Sequence, residues 1–312
     1  MAEQLQSISI LLSLDLLLKR FGMLTECYNY SPLFAVNIVY MVSALLATTA
    51  FADASERMKA PPENFTNNIF GGENANPRKF KFYAFVLNGG SICGGTILDT
   101  ENVLTAAHCV DNPSTVTVIA GSRNPFKLIL GEQGDGNEQI RRVDRIVVHH
   151  NYDPEALLTN TTDIAILKLR KPFKFNNYVG NPVVIPNPYL EKRAKTEGDC
   201  MVAGFGLTGQ FPVELPNRLQ EFPVKVRSTS FCSRMYSALG WSWNSKLICI
   251  YEGFEKNICF GDSGGPLVCF IKNRPIQLGI PSFVITRCAL GYNGFVRTRS
   301  YRKWIRKQQY VA

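Results

Sequence analysis

Histidine is scarce in this chain. Only three are present among 312 residues, at positions 108, 149 and 150, and all of them precede the Gly-Asp-Ser-Gly-Gly stretch centred on Ser263. That stretch fits the G-x-S-x-G turn of α/β-hydrolases, but in those enzymes the catalytic histidine follows the serine. The lack of histidine after Ser263 therefore excludes this class, and any base for Ser263 comes from upstream.

Charged residues are also few, at 19% of the sequence, whereas hydrophobic residues make up 46%. This composition allows a sizeable core and excludes a disordered chain. The net charge is +9. Zinc-ligand spacing and interleaved basic and aromatic residues are both lacking, so no nucleic-acid partner is expected.

Six basic residues cluster near the C-terminus. They form either a solvated helix face or a surface that attracts an acidic partner such as a sulfated glycan, and we favour the solvated face. The six are Arg297, Arg299, Arg302, Lys303, Arg306 and Lys307.

Long segments of helical periodicity are missing until the end of the chain. From residue 69 onward, short β-branched runs such as Ile164–Leu169 alternate with Gly, Pro and Asn. Ser300 can cap a terminal helix in which Tyr301, Trp304 and Ile305 share one face. Many short strands and one terminal helix predict an all-β barrel or sandwich.

The N-terminal region divides into two segments. Leu33 to Ala52 is 20 residues without a charge and ends in Ala-Phe-Ala, which fits a signal-peptidase site, although the length also fits a membrane anchor. Residues 53–68 are polar and predict a flexible pro-segment. We therefore expect a signal peptide or signal anchor over 1–52, a pro-segment over 53–68 and a folded domain over 69–312.

Nine cysteines are too many for an ordinary cytosolic protein and favour an oxidising compartment. A zinc site is disfavoured because no C-x-x-C occurs. Spacing alone does not determine which cysteines pair.

Two further motifs precede Ser263. They are Val103-Leu-Thr-Ala-Ala-His-Cys, which contains His108, and Thr162-Asp-Ile-Ala-Ile-Leu, which contains Asp163. The order His, Asp, Ser is that of the chymotrypsin template. On these motifs the chain resembles the chymotrypsin/trypsin family of serine proteases, from Ile69 to the C-terminus. The resemblance implies two six-stranded antiparallel β-barrels with a C-terminal α-helix, and catalytic groups at the junction of the barrels.

The resemblance also implies a role for each site residue. His108 would take the proton of Ser263 and return it to the leaving amine, while Asp163 would fix the tautomer and stabilise the imidazolium. Backbone N–H groups of Gly261 and Ser263 would form the oxyanion hole. Ser282 matches the family serine that hydrogen-bonds the catalytic aspartate. No cofactor is implied.

Eight cysteines stand where the family forms disulfides, and Cys27 is left over upstream. The implied bridges are Cys93–Cys109, Cys200–Cys269, Cys232–Cys249 and Cys259–Cys288.

The family places the floor of its S1 pocket six residues before the serine, at Asn257. Trypsin-like enzymes hold an aspartate there to pair with Arg or Lys, and Asn257 has no charge to offer. Ile258 adds an apolar wall. An uncharged side chain at P1 is therefore expected, although an amide floor leaves a polar P1 such as Asn or Gln open.

Alignment through Ser282 places the two neck positions of this pocket at Val284 and Gly294, and Phe283 is the substrate-binding residue that follows Ser282. Phenylalanine stands at 283 where tryptophan is usual, and valine at 284 resembles elastases. Such a narrowed neck predicts a small or medium P1 side chain.

Asp262 requires a partner, because a buried unpaired carboxylate is costly. In the family, that partner is an α-ammonium group released by proteolysis, and Ile69-Phe-Gly-Gly matches this N-terminus. The bond to be cut is then Asn68–Ile69, which a trypsin-like activator does not cleave. We expect an asparaginyl endopeptidase, or self-cutting, to activate the chain.

Two weaker patterns remain. Gly136-Asn-Glu-Gln139 resembles the end of the family's calcium loop, but Ser122 replaces its first carboxylate. Calcium prefers several oxygen ligands that include carboxylates, so no metal is expected. Asn64 and Asn160 begin N-glycosylation sequons.

These patterns predict a secreted serine endopeptidase, made as a zymogen, that hydrolyses peptide bonds through an acyl-enzyme. Its expected partners are protein or peptide substrates, the activating protease and protease inhibitors. The alternative of another class is a non-catalytic family member that acts as a binding or regulatory module. A type II membrane-anchored protease would differ in location but not in chemistry.

Overall fold

The computed structural model describes residues 72–156, 161–208, 215–253, 256–284, 288 and 292–311. The expected signal segment, the pro-segment, the Asn68–Ile69 bond, Cys27 and the asparagines of both sequons lie outside these residues. The strands are β1 (Glu73–Asn74), β2 (Tyr83–Asn88), β3 (Ser91–Ile97), β4 (Asn102–Thr105), β5 (Val116–Ala120), β6 (Gln139–Val148), β7 (Ala165–Leu169), β8 (Asp199–Gly204), β9 (Gln220–Pro223), β10 (Leu247–Ile250), β11 (Leu267–Ile271), β12 (Arg274–Val284) and β13 (Asn293–Arg297).

The first half of the described chain closes a six-stranded antiparallel barrel in the order β2-β3-β4-β7-β6-β5. Its strands form because short β-branched and aromatic runs suit a pleated surface. Phe82, Phe85, Leu104, Ile166 and Leu167 are almost completely buried and belong to one hydrophobic core cluster.

The strands of the second half, together with β1 from the start of the described chain, form a sheet in the order β1-β9-β8-β11-β12-β13-β10. The segment after β9 contacts β10. Val226 forms an antiparallel bridge with Ile250, and Arg227 N–H donates to Cys249 O. This sheet is the counterpart of the barrel, so the expected chymotrypsin-like double barrel is confirmed.

Within the described ranges, four α-helices accompany the strands, where the sequence predicted only the last. The helices are α1 (Pro125–Ile129), α2 (Pro188–Glu197), α3 (Thr229–Ser237) and α4 (Arg302–Tyr310). Periodicity missed the first three because they are short. The capping residues of α2 and α3 are nevertheless of the usual types. Asn187 Oδ1 accepts from Leu190 N–H, and Ser228 Oγ accepts from Phe231 N–H.

The predicted cap of the terminal helix was wrong. Ser300 lies in a 3-10 turn (Thr298–Tyr301), and α4 begins at Arg302 without a side-chain cap. The predicted apolar face was right, since Tyr301 and Ile305 are buried and Trp304 is half-buried against the core. Within the part of the chain that the structure describes, no helix is long and apolar enough to cross a membrane.

All four disulfides that the resemblance implied are formed. They are Cys93–Cys109, Cys200–Cys269, Cys232–Cys249 and Cys259–Cys288.

Candidate active site

The pairing of two strands brings His108 and Asp163 together. β4 and β7 are antiparallel neighbours, and Thr105 stands opposite Ala165. His108 follows the end of β4 by three residues, and Asp163 precedes the start of β7 by two. The two side chains are 55 residues apart in sequence, yet they emerge from adjacent strand ends.

The carboxylate of Asp163 is buried at 3% exposure and accepts three hydrogen bonds. Its Oδ1 accepts from the backbone N–H of His108 at 2.9 Å, and its Oδ2 accepts from His108 Nδ1 at 2.7 Å. The third donor is Ser282 Oγ, 2.5 Å from the same Oδ2. Because Nδ1 is held by the carboxylate, Nε2 of the neutral imidazole is left free to accept a proton.

The pKa of His108 lies above its ordinary value. Burial lowers this pKa, but the charge and hydrogen bond of Asp163, together with the charge of Asp111, outweigh burial. The site therefore stabilises the imidazolium that forms when His108 accepts a proton as a general base.

A backbone hydrogen bond of Ser263 connects the serine loop to the barrel. The Ser263 carbonyl accepts from Gly94 N–H, in β3 of the barrel, at 2.7 Å. A Cβ atom on Gly94 would lie 2.7 Å from the Cα of Gly265. Glycine at 94 is therefore needed for the barrel to approach the serine loop so closely.

The backbone around Ser263 leaves two donors unused. Phe260 O accepts from Leu207 N–H at 2.8 Å, and in a trans peptide the following N–H, that of Gly261, points the opposite way. Gly261 has a φ of 98°, which favours glycine. Among the described residues, neither Gly261 N–H nor Ser263 N–H donates a hydrogen bond. Two unused N–H groups beside a serine are suited to stabilise an oxyanion.

Asp262 is completely buried, and its carboxylate is held by two backbone N–H groups. Oδ1 accepts from Gly206 N–H and Oδ2 accepts from Cys259 N–H, both at 2.8 Å. Burial raises the pKa of Asp262 to about 7, against the lowering effect of these two bonds. A Cβ atom on Gly206 would overlap this carboxylate, so the tight fit requires glycine there. Ile69, the expected partner, lies outside the described residues.

A cleft of about 380 Å³ contains His108, Asp163 and Ser263. One of its walls holds Ser282, Phe283 and Val284, and the other described lining residues are Tyr152, Pro154, Ile258, Cys259, Phe260 and Pro281. The structure thus brings together most residues predicted for the site.

Two residues predicted for the S1 pocket do not line this cleft. Asn257 is completely buried and is not among the described lining residues, whereas its chain neighbour Ile258 is. Gly294 stands opposite Phe283 in the sheet, and a Cβ atom there would overlap the Phe283 ring. Phe283 therefore covers Gly294, which sequence alignment alone does not reveal.

Several residues at or near the cleft were not predicted, and three of them, Tyr152, Asp111 and Phe260, have contacts or exposure of interest. Tyr152 Oη donates to Asp111 Oδ2 at 2.9 Å, beside His108. Phe260 lies at the rim of the cleft with 69% of its surface exposed. Its position three residues before Ser263 was a usable signal, whereas nothing in the sequence links Tyr152 to Asp111.

Fold and site together define a chymotrypsin-like serine endopeptidase. The family described as Trypsin matches residues 69–305, which is most of the chain, and the protein belongs to that family.

Curated relatives agree with this assignment. Chymotrypsin-like elastase family member 1 of Felis catus is 32% identical over 248 residues, covering 76% of this chain and 88% of that protein. Coagulation factor IX of Oryctolagus cuniculus is 31% identical over 262 residues, covering 83% of this chain and 90% of that protein.

A solved structure is similar as well. It is neuropsin, a serine protease expressed in the limbic system of mouse brain, with a TM-score of 0.64 and 25% identity. The match covers 76% of this chain and 98% of the neuropsin chain.

Proposed function

We propose that His108, Asp163 and Ser263 form the catalytic triad of this endopeptidase, with the N–H groups of Gly261 and Ser263 as the oxyanion hole. The observation that carries the proposal is the Asp163 carboxylate, which holds both the backbone and the Nδ1 of His108 in the cleft that contains Ser263. Peptide hydrolysis would proceed through an acyl-enzyme on Ser263.

The proposal is tested with a fluorophosphonate probe on the activated protein. Labelling is expected in the wild type and lost in Ser263→Ala, and His108→Ala is expected to lower kcat by a factor of order 10⁶. Correctly processed protein that takes no label would instead favour a non-catalytic binding module.

We further propose that the enzyme cleaves after small or medium uncharged residues. Asn257 would form the floor of the S1 pocket and Val284 its neck. Two observations support this preference. The amide of Asn257 is already bonded to Asn293 and to Gly253 O, so it has little capacity to bind a polar P1. Relatives that carry elastase in their names also support a non-tryptic pocket.

We also propose that the enzyme is secreted as a zymogen, with a signal peptide or signal anchor over 1–52, a pro-segment over 53–68 and a protease domain over 69–312. Four disulfides support an oxidising compartment. The family match that begins at residue 69 supports Ile69 as the mature N-terminus. Its α-ammonium group would pair with Asp262, after an asparaginyl endopeptidase or the enzyme itself cuts Asn68–Ile69.

N-terminal sequencing of the active protein tests this scheme. Ile69 is the expected first residue, and any other first residue overturns it. Processing of Ser263→Ala precursor by an asparaginyl endopeptidase separates the two routes, since a self-cutting enzyme would leave this variant intact.

A further inference from the structure

The six basic residues near the C-terminus separate into two groups in the structure. Arg297 and Arg299 form ion pairs with Glu191 of α2, whose carboxylate is buried. Nη2 of Arg297 also donates to Thr229 Oγ1. These two arginines therefore have partners within the fold and connect its elements to one another.

The other four basic residues lie in α4, and we call Arg302, Lys303, Arg306 and Lys307 the α4 cations. None of them forms an ion pair within the described residues, and α4 itself contains no Asp or Glu. The sequence favoured a solvated helix face, but such a face commonly mixes both signs. The basic helix α2 does so, since two of its cations pair with acids four residues away in the same helix.

The α4 cations share one side of the helix. Three of them are exposed and Arg302 is half-buried, and their spacing places all four on the same side. The opposite side is apolar, since Ile305 is completely buried and Trp304 packs on the core. The four span roughly 7.5 Å of helix axis, close to the Debye length of about 8 Å at physiological ionic strength. They therefore act together on one anionic segment.

This arrangement of charge does not favour the helix itself. Arg302 and Lys303 occupy the first turn of α4, which has no acidic residue and no side-chain cap. Cations are unfavourable near the positive end of the helix dipole. The α4 cations thus lower the stability of the helix and gain no contact with an acid within the described chain.

Acidic residues approach only the other end of α4, where they lie among other bases. Glu101 and Asp144 line a cavity together with Arg145, Lys168 and the last residues of the helix. Lys168 Nζ also donates to two carbonyls of the last helical turn. This end of α4 is therefore anchored to the barrel, and the acids there do not compensate the α4 cations.

We propose that the α4 cations form a docking surface for a sulfated polysaccharide. The sulfate groups pair with the exposed cations, which the packing of α4 on the core holds in a fixed row. The four disulfides favour an oxidising, extracellular compartment, where sulfated polysaccharides are abundant polyanions. A membrane surface suits α4 less, because a helix that lies in a lipid interface inserts its apolar face, and that face of α4 is packed on the core.

The proposed docking surface is separate from the proposed active site. No residue of α4 is among the described lining of the catalytic cleft. Docking therefore localises the protein and leaves the cleavage of a short peptide substrate unchanged.

The test measures binding of Ser263→Ala protein to immobilised heparin, a sulfated polysaccharide. The protein should be retained at about 0.15 M salt, and its affinity should fall as the salt concentration rises, as it does for polyanion binding through cations. Because this variant does not depend on catalysis, an error in the proposed triad would not be mistaken for an absent docking surface.

Lys303→Gln/Arg306→Gln in this protein should weaken heparin binding about tenfold, as expected for the loss of two exposed ion pairs. The matched control is Lys225→Gln/Arg274→Gln, which removes the same charges from exposed positions outside α4. The control should leave the Kd for heparin unchanged.

Equal weakening by the two double variants would mean that net charge alone attracts heparin, and it would overturn the proposal. A protein that is not retained at about 0.15 M salt, or that binds phosphatidylserine vesicles but not heparin, would overturn it as well. The melting temperature of the Lys303→Gln/Arg306→Gln variant should not fall, since a cation leaves the first turn. If that variant does not fold, Arg306→Gln/Lys307→Gln, which lies beyond the first turn, decides the result.

Discussion

The side-chain amides of Asn257 and Asn293 are hydrogen-bonded to each other, with Nδ2 of Asn293 donating to Oδ1 of Asn257 at 3.0 Å. Both residues are completely buried. Asn293 stands opposite Val284 in the sheet, so the pair connects the predicted pocket floor to the strand that forms the pocket neck. A neutral, internally bonded floor offers no charge to a bound side chain.

We expect Ala, Val, Leu or Thr at P1 to be preferred over Arg and Lys by at least about 100-fold in kcat/KM. A cationic side chain buried without a counter-charge loses several kcal/mol. A P1 library measures this preference. Asn257→Asp should move it toward Arg and Lys, whereas Val284→Gly should admit larger apolar residues and no cations. A wild-type preference for Arg or Lys would contradict the pocket assignment.

Ser282→Ala should reduce kcat roughly tenfold, because Asp163 loses a charge-assisted hydrogen bond. The carboxylate would then attract the imidazolium more strongly, so the pKa of His108 should rise further. The acid limb of the pH–kcat/KM profile reports this as a shift to higher pH. Ser282→Thr keeps a hydroxyl and serves as the control. An unchanged profile in Ser282→Ala would show that this hydroxyl does not tune the site.

Asp111→Asn should shift the acid limb in the opposite direction. The charge of Asp111 helps to raise the pKa of His108, so removing it lowers that pKa and extends activity to lower pH. The control variant Tyr152→Phe keeps the charge of Asp111. We expect its acid limb to lie at a higher pH than the acid limb of Asp111→Asn. A shift to higher pH in Asp111→Asn would refute the electrostatic role.

Asp262 should make the uncut precursor less stable as pH rises. Burial raises its folded-state pKa to about 7, from an ordinary value of 3.8. Between these values the folded state holds a proton that the unfolded state has released. The free energy of unfolding therefore falls with pH, by at most about 1.4 kcal/mol per pH unit.

Urea unfolding of Ser263→Ala precursor at several pH values measures this slope. Subtracting the same series for Ser263→Ala/Asp262→Asn removes the contribution of other groups. A difference that stays constant from pH 4 to pH 7 would mean that Asp262 does not titrate in this range.

Asn68→Arg should convert the precursor into one that trypsin activates, because only the residue before the cut changes. Wild-type precursor treated in the same way should remain inactive. Adding Asp262→Asn to Asn68→Arg should give normal cleavage without activity, because the ammonium–carboxylate pair cannot form. If the cleaved double variant is active, activation does not require the carboxylate of Asp262.

The class of this protein was determined by the sequence itself. Three local motifs in the order His108, Asp163, Ser263 are each short enough to be recognised without knowledge of the fold. β7 shows why the barrel was predictable too, since a run of β-branched and aliphatic residues has few alternatives to a buried strand. The helices α2 and α3 were missed because nine or ten residues give too little periodicity, although their capping residues were present.

Only the tertiary structure decided which side chains reach each other across the chain. Asn257 bonds Asn293 across 36 residues, and Tyr152 bonds Asp111 across 41. Phe283 covers Gly294 because β12 and β13 pair in that register. Such contacts depend on strand register and side-chain packing, which local residue patterns do not encode.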